Sequence, residues 1–135
     1  MSAVATATSL ALGLPEAGLR LVVCGGRVNR AGWGALWAEL ARIQREHGGI
    51  EAIIQGGARG VDEDARSWAQ YHFIPVETYA ADWRAHGRAA GPIRNRVMLA
   101  ESRPDAVLAF PGGRGTADCV SRARVLGLPV WERGT

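Results

Sequence analysis

Three stretches of the chain set an arginine among glycines: Gly25-Gly26-Arg27, Gln55-Gly56-Gly57-Ala58-Arg59-Gly60-Val61-Asp62 and Pro111-Gly112-Gly113-Arg114-Gly115-Thr116. Glycine lets a backbone approach an anion with no Cβ in the way. Arginine presents a planar fork of donors that matches a phosphoryl group. Each stretch follows an apolar run and precedes a helix-like pattern, and a helix N-terminus adds free N–H groups. In the third stretch the N–H groups of Gly115, Thr116 and Ala117 are expected to face the anion. Arg94 is a fourth cation. Arg96 lies two residues on, about 200° round a helix, so only one of the two can point at a given site. The candidate phosphate ligands are therefore Arg27, Arg59, Arg94 and Arg114. Gly25, Gly26, Gly56, Gly57, Gly60 and the run Pro111 to Thr116 form the cradle, and Asn95 stands beside Arg94.

Other residues have two readings each. Asp62 can hold a ribose hydroxyl or cap a helix. Thr116 can bond a phosphate or cap its own helix. Asp118 lies four residues before Arg122, the spacing of an exposed helix pair. Asp82 and His86 can form an acid–base pair or stand solvated in a loop. Trp83 can stack on a base, and packing of the loop is its simpler role. No metal-ligand spacing appears among three histidines and two cysteines, and no cofactor is expected. The Gly-x-x-x-x-Gly-Lys phosphate loop, the Gly-x-Ser-x-Gly elbow and the Gly-x-Gly-x-x-Gly dinucleotide fingerprint are all missing. Cys24 and Cys119 fit two buried, reduced thiols in a cytoplasmic protein.

The elements that must position these turns follow from hydrophobic periodicity. Apolar runs at Leu19 to Cys24, Ile50 to Ile54, Phe73 to Tyr79, Asp105 to Phe110 and Leu128 to Trp131 read as strands. Amphipathic patterns at Ala31 to Glu46, from Val61, from Pro92 and at Ala117 to Leu126 read as helices. Ala80 to Gly91 reads as an irregular connection. In the helix after it, Ile93, Val97 and Ala100 can face the core. Strand–helix alternation predicts an α/β fold, a Rossmann-like three-layer sandwich with a parallel sheet of about five strands. The glycine turns then lie at the carboxyl ends of strands, where open α/β sheets bind ligands. They meet on one rim only if their strands are neighbours.

Residues 1–18 read as a flexible leader and residues 19–135 as one domain. Hydrophobic residues make up 47% and charged residues 21%, the composition of a soluble globular chain. All 16 basic residues are arginine, and the net charge of +3 is too small by itself to imply nucleic acid. No apolar run approaches the roughly 18 residues of a membrane span. Trp33 and Trp37 offer core packing or a homodimer contact.

The motifs together, with Ala81-Asp82-Trp83, Gly87 and Ala90-Gly91-Pro92-Ile93-Arg94-Asn95, resemble the YspA-type family, a YpsA-related branch of the SLOG superfamily. The resemblance runs from Arg20 to Trp131. It implies a Rossmann-like fold that binds a nucleotide, a nucleotide-derived ligand or nucleic acid, and here a sensor or binding module for a small nucleotide-type ligand. Pro111 to Thr116, and Arg94 with Met98, are similar to motifs of the LOG phosphoribohydrolases, which cleave an N-glycosidic bond. On that alternative Arg94 binds phosphate or developing charge and Asp118 or Asp82 supplies a carboxylate, because Cys119 stands where those enzymes have a catalytic glutamate. Gly56 to Asp62 and Arg94-Asn95-Arg96 are similar to DprA, which implies single-stranded nucleic-acid binding as a third reading.

Overall fold

The computed structural model describes residue 14 and residues 18–135. Apart from Leu14 and Gly18, the expected leader lies outside the described residues. Five strands, β1 (Leu19–Cys24), β2 (Ile50–Gln55), β3 (Val76–Thr78), β4 (Ala106–Ala109) and β5 (Val130–Glu132), form one parallel sheet in the order β3-β2-β1-β4-β5. The helices are α1 (Trp33–Glu46), α2 (Val61–Tyr71), α3 (Trp83–His86), α4 (Ala90–Glu101) and α5 (Arg114–Val125), and a 3₁₀ turn at Gly87–Ala89 joins α3 to α4. The chain winds outward from β1 to β3, crosses back over β1, and continues through β4 to β5. The crevice between the ends of β1 and β4 is thus a topological switch point. Among the described residues no helix is long and apolar enough to cross a membrane.

Side chains alternate across each strand. Leu21 and Val23 of β1 pack with Leu36, Leu40 and Ile43 of α1 and Val61, Ala65 and Trp68 of α2. Val22 and Cys24 pack with Met98 and Leu99 of α4 and Cys119, Val120 and Ala123 of α5. Two apolar layers therefore flank a buried sheet, the three-layer α/β architecture that the sequence predicts.

Several boundaries differ from expectation. The third strand is only Val76–Thr78 rather than Phe73 to Tyr79. Pro75 has no N–H to give a ladder, though its carbonyl accepts from Ile53 N at 3.0 Å, and Phe73 turns out to solvent with φ 57°. The connection expected to be irregular is partly ordered. Asp82 Oδ1 accepts from Ala85 N at 3.0 Å and starts α3, and α4 begins at Ala90, before Pro92. Pro92 still sits in the first turn, where no intrahelical N–H is needed. The buried face of α4 is Ala90, Gly91, Asn95, Met98 and Leu99; Ile93 and Val97 are half-buried and Ala100 is exposed. Helix α5 starts at Arg114 rather than Ala117, which draws the third glycine stretch into its first turn.

Gly60 shows how tightly the rim is built. It has φ +74°, and a Cβ there would lie 2.4 Å from both Arg27 C and Gly26 O. Gly60→Ala is expected to lower stability by roughly 2–4 kcal/mol, combining backbone strain with overpacking. Gly127→Ala shares the positive φ (+76°) but meets nothing within 4 Å, so it should cost about 1 kcal/mol. Equilibrium urea unfolding of the two variants measures that difference.

Candidate functional site

Strands β2, β1 and β4 are adjacent, so the three glycine stretches that follow them meet. Backbone hydrogen bonds fasten them together. Gly26 N–H donates to Pro111 O at 2.9 Å, and Gly26 O accepts from Val61 N–H at 3.1 Å. Glycine is needed where the turns touch. A Cβ at Gly25 would meet Val61 Cγ2 at 2.5 Å, one at Gly56 would meet Arg94 Nη1 at 2.0 Å, and one at Gly112 would meet Thr116 Oγ1 at 2.1 Å and Gly26 N at 2.8 Å. Those glycines are explained by packing within the protein. Gly113 and Gly115 are different, because a Cβ at either meets nothing within 4 Å and neither has a positive φ.

Above the turns opens a cleft of about 730 Å³. Its walls include Gly25 to Arg27 from the first stretch, Gly56 to Arg59 and Asp62 from the second, and Gly113 to Thr116 from the third. Arg94 and Asn95 close the side formed by α4. Gly60, Pro111 and Gly112 do not line the cleft; they join the turns beneath it. Arg96 is exposed and points elsewhere.

The N-terminus of α5 faces this space. Its N-cap is Gly113, with no side-chain cap, so the N–H groups of Arg114, Gly115 and Thr116 have no intrahelical acceptor. Ala117 N–H is not free as expected, because it donates to Gly113 O at 3.1 Å. The free donors thus sit one residue earlier, a consequence of the earlier helix start. Thr116 does not cap its helix but packs its hydroxyl against Gly112.

The four arginines fall into two kinds. Arg94 is held by the protein: Nη1 donates to Gly56 O at 3.0 Å and Tyr79 O at 3.4 Å, and Nε donates to Asn95 Oδ1 at 2.9 Å. Arg59 and Arg114 make no ion pair or hydrogen bond through their side chains among the described residues, and Arg27 lies with Cζ 5.4 Å from the centre of the Trp83 ring. Asn95 is buried and fully used. Besides accepting from Arg94, its Nδ2 donates to Gly115 O at 3.1 Å and Asp118 Oδ2 at 3.0 Å. It is a brace between α4 and the first turn of α5.

The carboxylates are distributed unequally. Asp118 Oδ2 is bound by Asn95 and by Arg122 Nε at 2.9 Å, and it does not line the cleft. Asp82 caps α3 and lines, with His86, a separate shallow groove. Asp62 is the acid that lines the cleft. Its Oδ2 accepts from Gly56 N and Ala58 N, both at 3.2 Å, so it pins the second turn rather than capping α2, whose N-cap is Gly60. Burial pushes the Asp62 carboxyl above its usual value, against the pull of those hydrogen bonds and of Arg94. Among the described residues no group of three or more metal-ligating side chains comes together.

Cys24, Met98 and Trp83 also line the cleft. Cys24 ends a buried strand immediately before the first turn, a position that places it there; Met98 follows Arg94 by one helical turn. Cys24 and Cys119 are buried, unoxidised neighbours on the floor. The hydrogen bond to Cys119, with burial, pushes the Cys24 thiol well up, whereas the same bond lowers Cys119.

Comparison with known proteins agrees with this architecture. A family model described as the YspA, cpYpsA-related SLOG family matches residues 19–86. The chain is 38% identical over 125 residues to the Gene 61 protein of Mycobacterium phage D29, covering 85% of this chain and 96% of that protein. It is also 31% identical over 99 residues to a Rubrobacter xylanophilus protein named as the UDP-N-acetylglucosamine–N-acetylmuramyl-(pentapeptide) pyrophosphoryl-undecaprenol N-acetylglucosamine transferase. That match covers 68% of this chain and only 29% of the transferase. No solved structure matches the chain.

The raised Asp62 carboxyl has a measurable consequence. An acid whose folded pKa exceeds its unfolded value, about 3.9, loses its proton more readily when the chain unfolds. Its contribution to stability is fully present below that pH and is lost as pH rises through the folded pKa. Asp62→Asn removes this loss. The stability of the variant relative to the parent should therefore improve as pH rises from 3 towards neutrality, as read by denaturant unfolding at each pH. A relative stability that falls over that range would contradict the assignment.

Proposed function

The chain belongs to the YspA, cpYpsA-related SLOG family, and from that premise we propose that it binds a nucleotide or nucleotide-derived ligand in the cleft, as a sensor or binding module. The phosphate lies at the N-terminus of α5, between Arg114 and the second turn with its Arg59. Arg94, already braced, directs its remaining guanidinium edge to the same group. Asp62 offers its second oxygen to a ribose hydroxyl.

The observation behind this reading is the pair Gly113 and Gly115. Among the described residues no contact or positive φ requires glycine at either position, and Gly115 lies in the first turn of α5, where glycine is a weaker helix former than alanine. A ligand approaching the backbone supplies the missing reason. The uncapped helix end and the unpaired guanidiniums of Arg59 and Arg114 support the same conclusion, since a phosphate satisfies both.

Hydrolysis of a nucleoside monophosphate draws less support. Asp118 and Asp82 lie off the cleft, the thiol of Cys119 is buried, and Asp62 has one oxygen committed to the second turn. Single-stranded nucleic acid would share the phosphate contacts, but a net charge of +3 supplies little of the electrostatic attraction on which such binding depends.

Gly115→Ala separates the fold from the ligand. It should raise the melting temperature by about 2–5 °C through helix propensity. It should also weaken nucleoside monophosphate binding at least tenfold by filling the approach to the backbone. Arg114→Ala should leave the melting temperature within a degree or so and abolish most of the ligand-induced shift, because Arg114 is exposed and unpaired. Thermal-shift titration of both variants gives the answer. Full ligand response in both would remove this site from consideration.

A further inference from the structure

The strap from Ala80 to Gly91, which lines part of the cleft, presents an aromatic ring in an unusual setting. Residues Asp82 to Ala89 are all exposed, and neither α3 nor the following 3₁₀ turn buries a side chain. Trp83 is nevertheless held in place. Its Cη2 lies 3.5 Å from where a Cβ on Gly91 would stand, and the guanidinium of Arg27 sits over its ring. Half of its surface remains exposed, and it lines the cleft. A tryptophan that served only to fasten the strap would bury its ring, as Trp68 does at 1% exposure beneath α2.

Among the described residues Arg27 has no acidic partner. Its guanidinium lies instead on the face of Trp83, a cation–π contact that places a flat cation where another flat π-system would fit equally well. Trp83, Asp62, Arg94 and the first turn of α5 with its free N–H groups all line this one cleft. A ring, a carboxylate, cations and a helix end are the groups that suit a base, a ribose and a phosphate.

We propose that Trp83 is the residue that recognises the nucleobase, which stacks on its ring in the place that the Arg27 guanidinium occupies and leaves Arg27 to turn towards phosphate. This rests on the nucleotide-binding reading above and sharpens it. The ligand must carry an aromatic base, so that sugar phosphates are held only by the α5 end. Stacking tolerates any base, because every base has a π-face. Selection among bases then falls to groups at the base edge and not to Trp83.

Calorimetric titration of the full chain and of its Trp83→Phe and Trp83→Ala variants tests this, with adenosine, guanosine, cytidine and uridine monophosphates and with ribose 5-phosphate as probes. Trp83→Ala should weaken the best nucleotide about tenfold, which is about 1.4 kcal/mol. Trp83→Phe should stay within about threefold of the parent, since a smaller ring still stacks. Ribose 5-phosphate should bind all three proteins equally, which also shows that the cleft survives the substitution. Nucleotide affinity unchanged in Trp83→Ala would overturn the assignment while leaving the phosphate site standing. Equal loss of nucleotide and ribose 5-phosphate would overturn it too, by showing that Trp83 only supports the strap. If the parent protein bound none of the probes, both the assignment and the nucleotide reading would fall.

Discussion

The rim of this protein depends on one residue, Gly26. Gly26 gives its N–H to the turn after β4 and receives the first N–H of α2 on its carbonyl. Each bond is worth only about 1 kcal/mol net. Their effect is positional. They lock three separate turns into one surface, and they do so at contact distances that exclude side chains at Gly25, Gly60 and Gly112. The parallel sheet makes this possible by placing β2 and β4 on either side of β1, so that all three strands end at the same edge.

Around that fixed rim the polar groups divide into those that satisfy each other and those that do not. Asn95 uses every hydrogen-bonding atom of its side chain to join α4 to α5, Asp62 holds the second turn, and Arg94 is tied to Gly56. These contacts hold the walls steady. By contrast Arg59, Arg114 and the first N–H groups of α5 have no partner within the described chain. On the proposed reading, positive groups without acids on a rigid frame are preorganised for an anion, so that a phosphate would need little reorganisation to bind. The carboxylates that could have neutralised them are turned away: Asp118 to Arg122, and Asp82 to its own helix.

Much of this was legible in the sequence because it rests on local pattern. β1 ends where the apolar run ends, α1 follows the spacing of Leu36, Leu40 and Ile43, and the glycine turns announce strand ends. The family resemblance was legible too, carried by motifs in order along most of the chain. What escaped the sequence is long-range. The contact of Gly56 with Arg94 joins residues far apart in the chain, so glycine required for packing and glycine with open space beside it look alike until the turns are brought together. The start of α5 at Arg114 was hidden because Gly115, in its first turn, is a weak helix former, and it moved the free donors by one residue. The pairing of Asp118 with Arg122 was legible from its spacing, whereas the second partner of Asp118, Asn95, and the half-exposure of Trp83 depend on neighbours that sequence spacing does not reveal.

The claim at the centre is that an anionic nucleotide group meets the backbone of α5 at its first turn. A ¹H–¹⁵N correlation spectrum recorded during titration with adenosine monophosphate addresses that backbone directly. The account predicts that the amides of Arg114, Gly115 and Thr116 show the largest shifts, with smaller ones at Gly26 and Gly57. Shifts confined to the outer groove at Tyr79, His86 and Ile93, with the first turn of α5 unmoved, would contradict it.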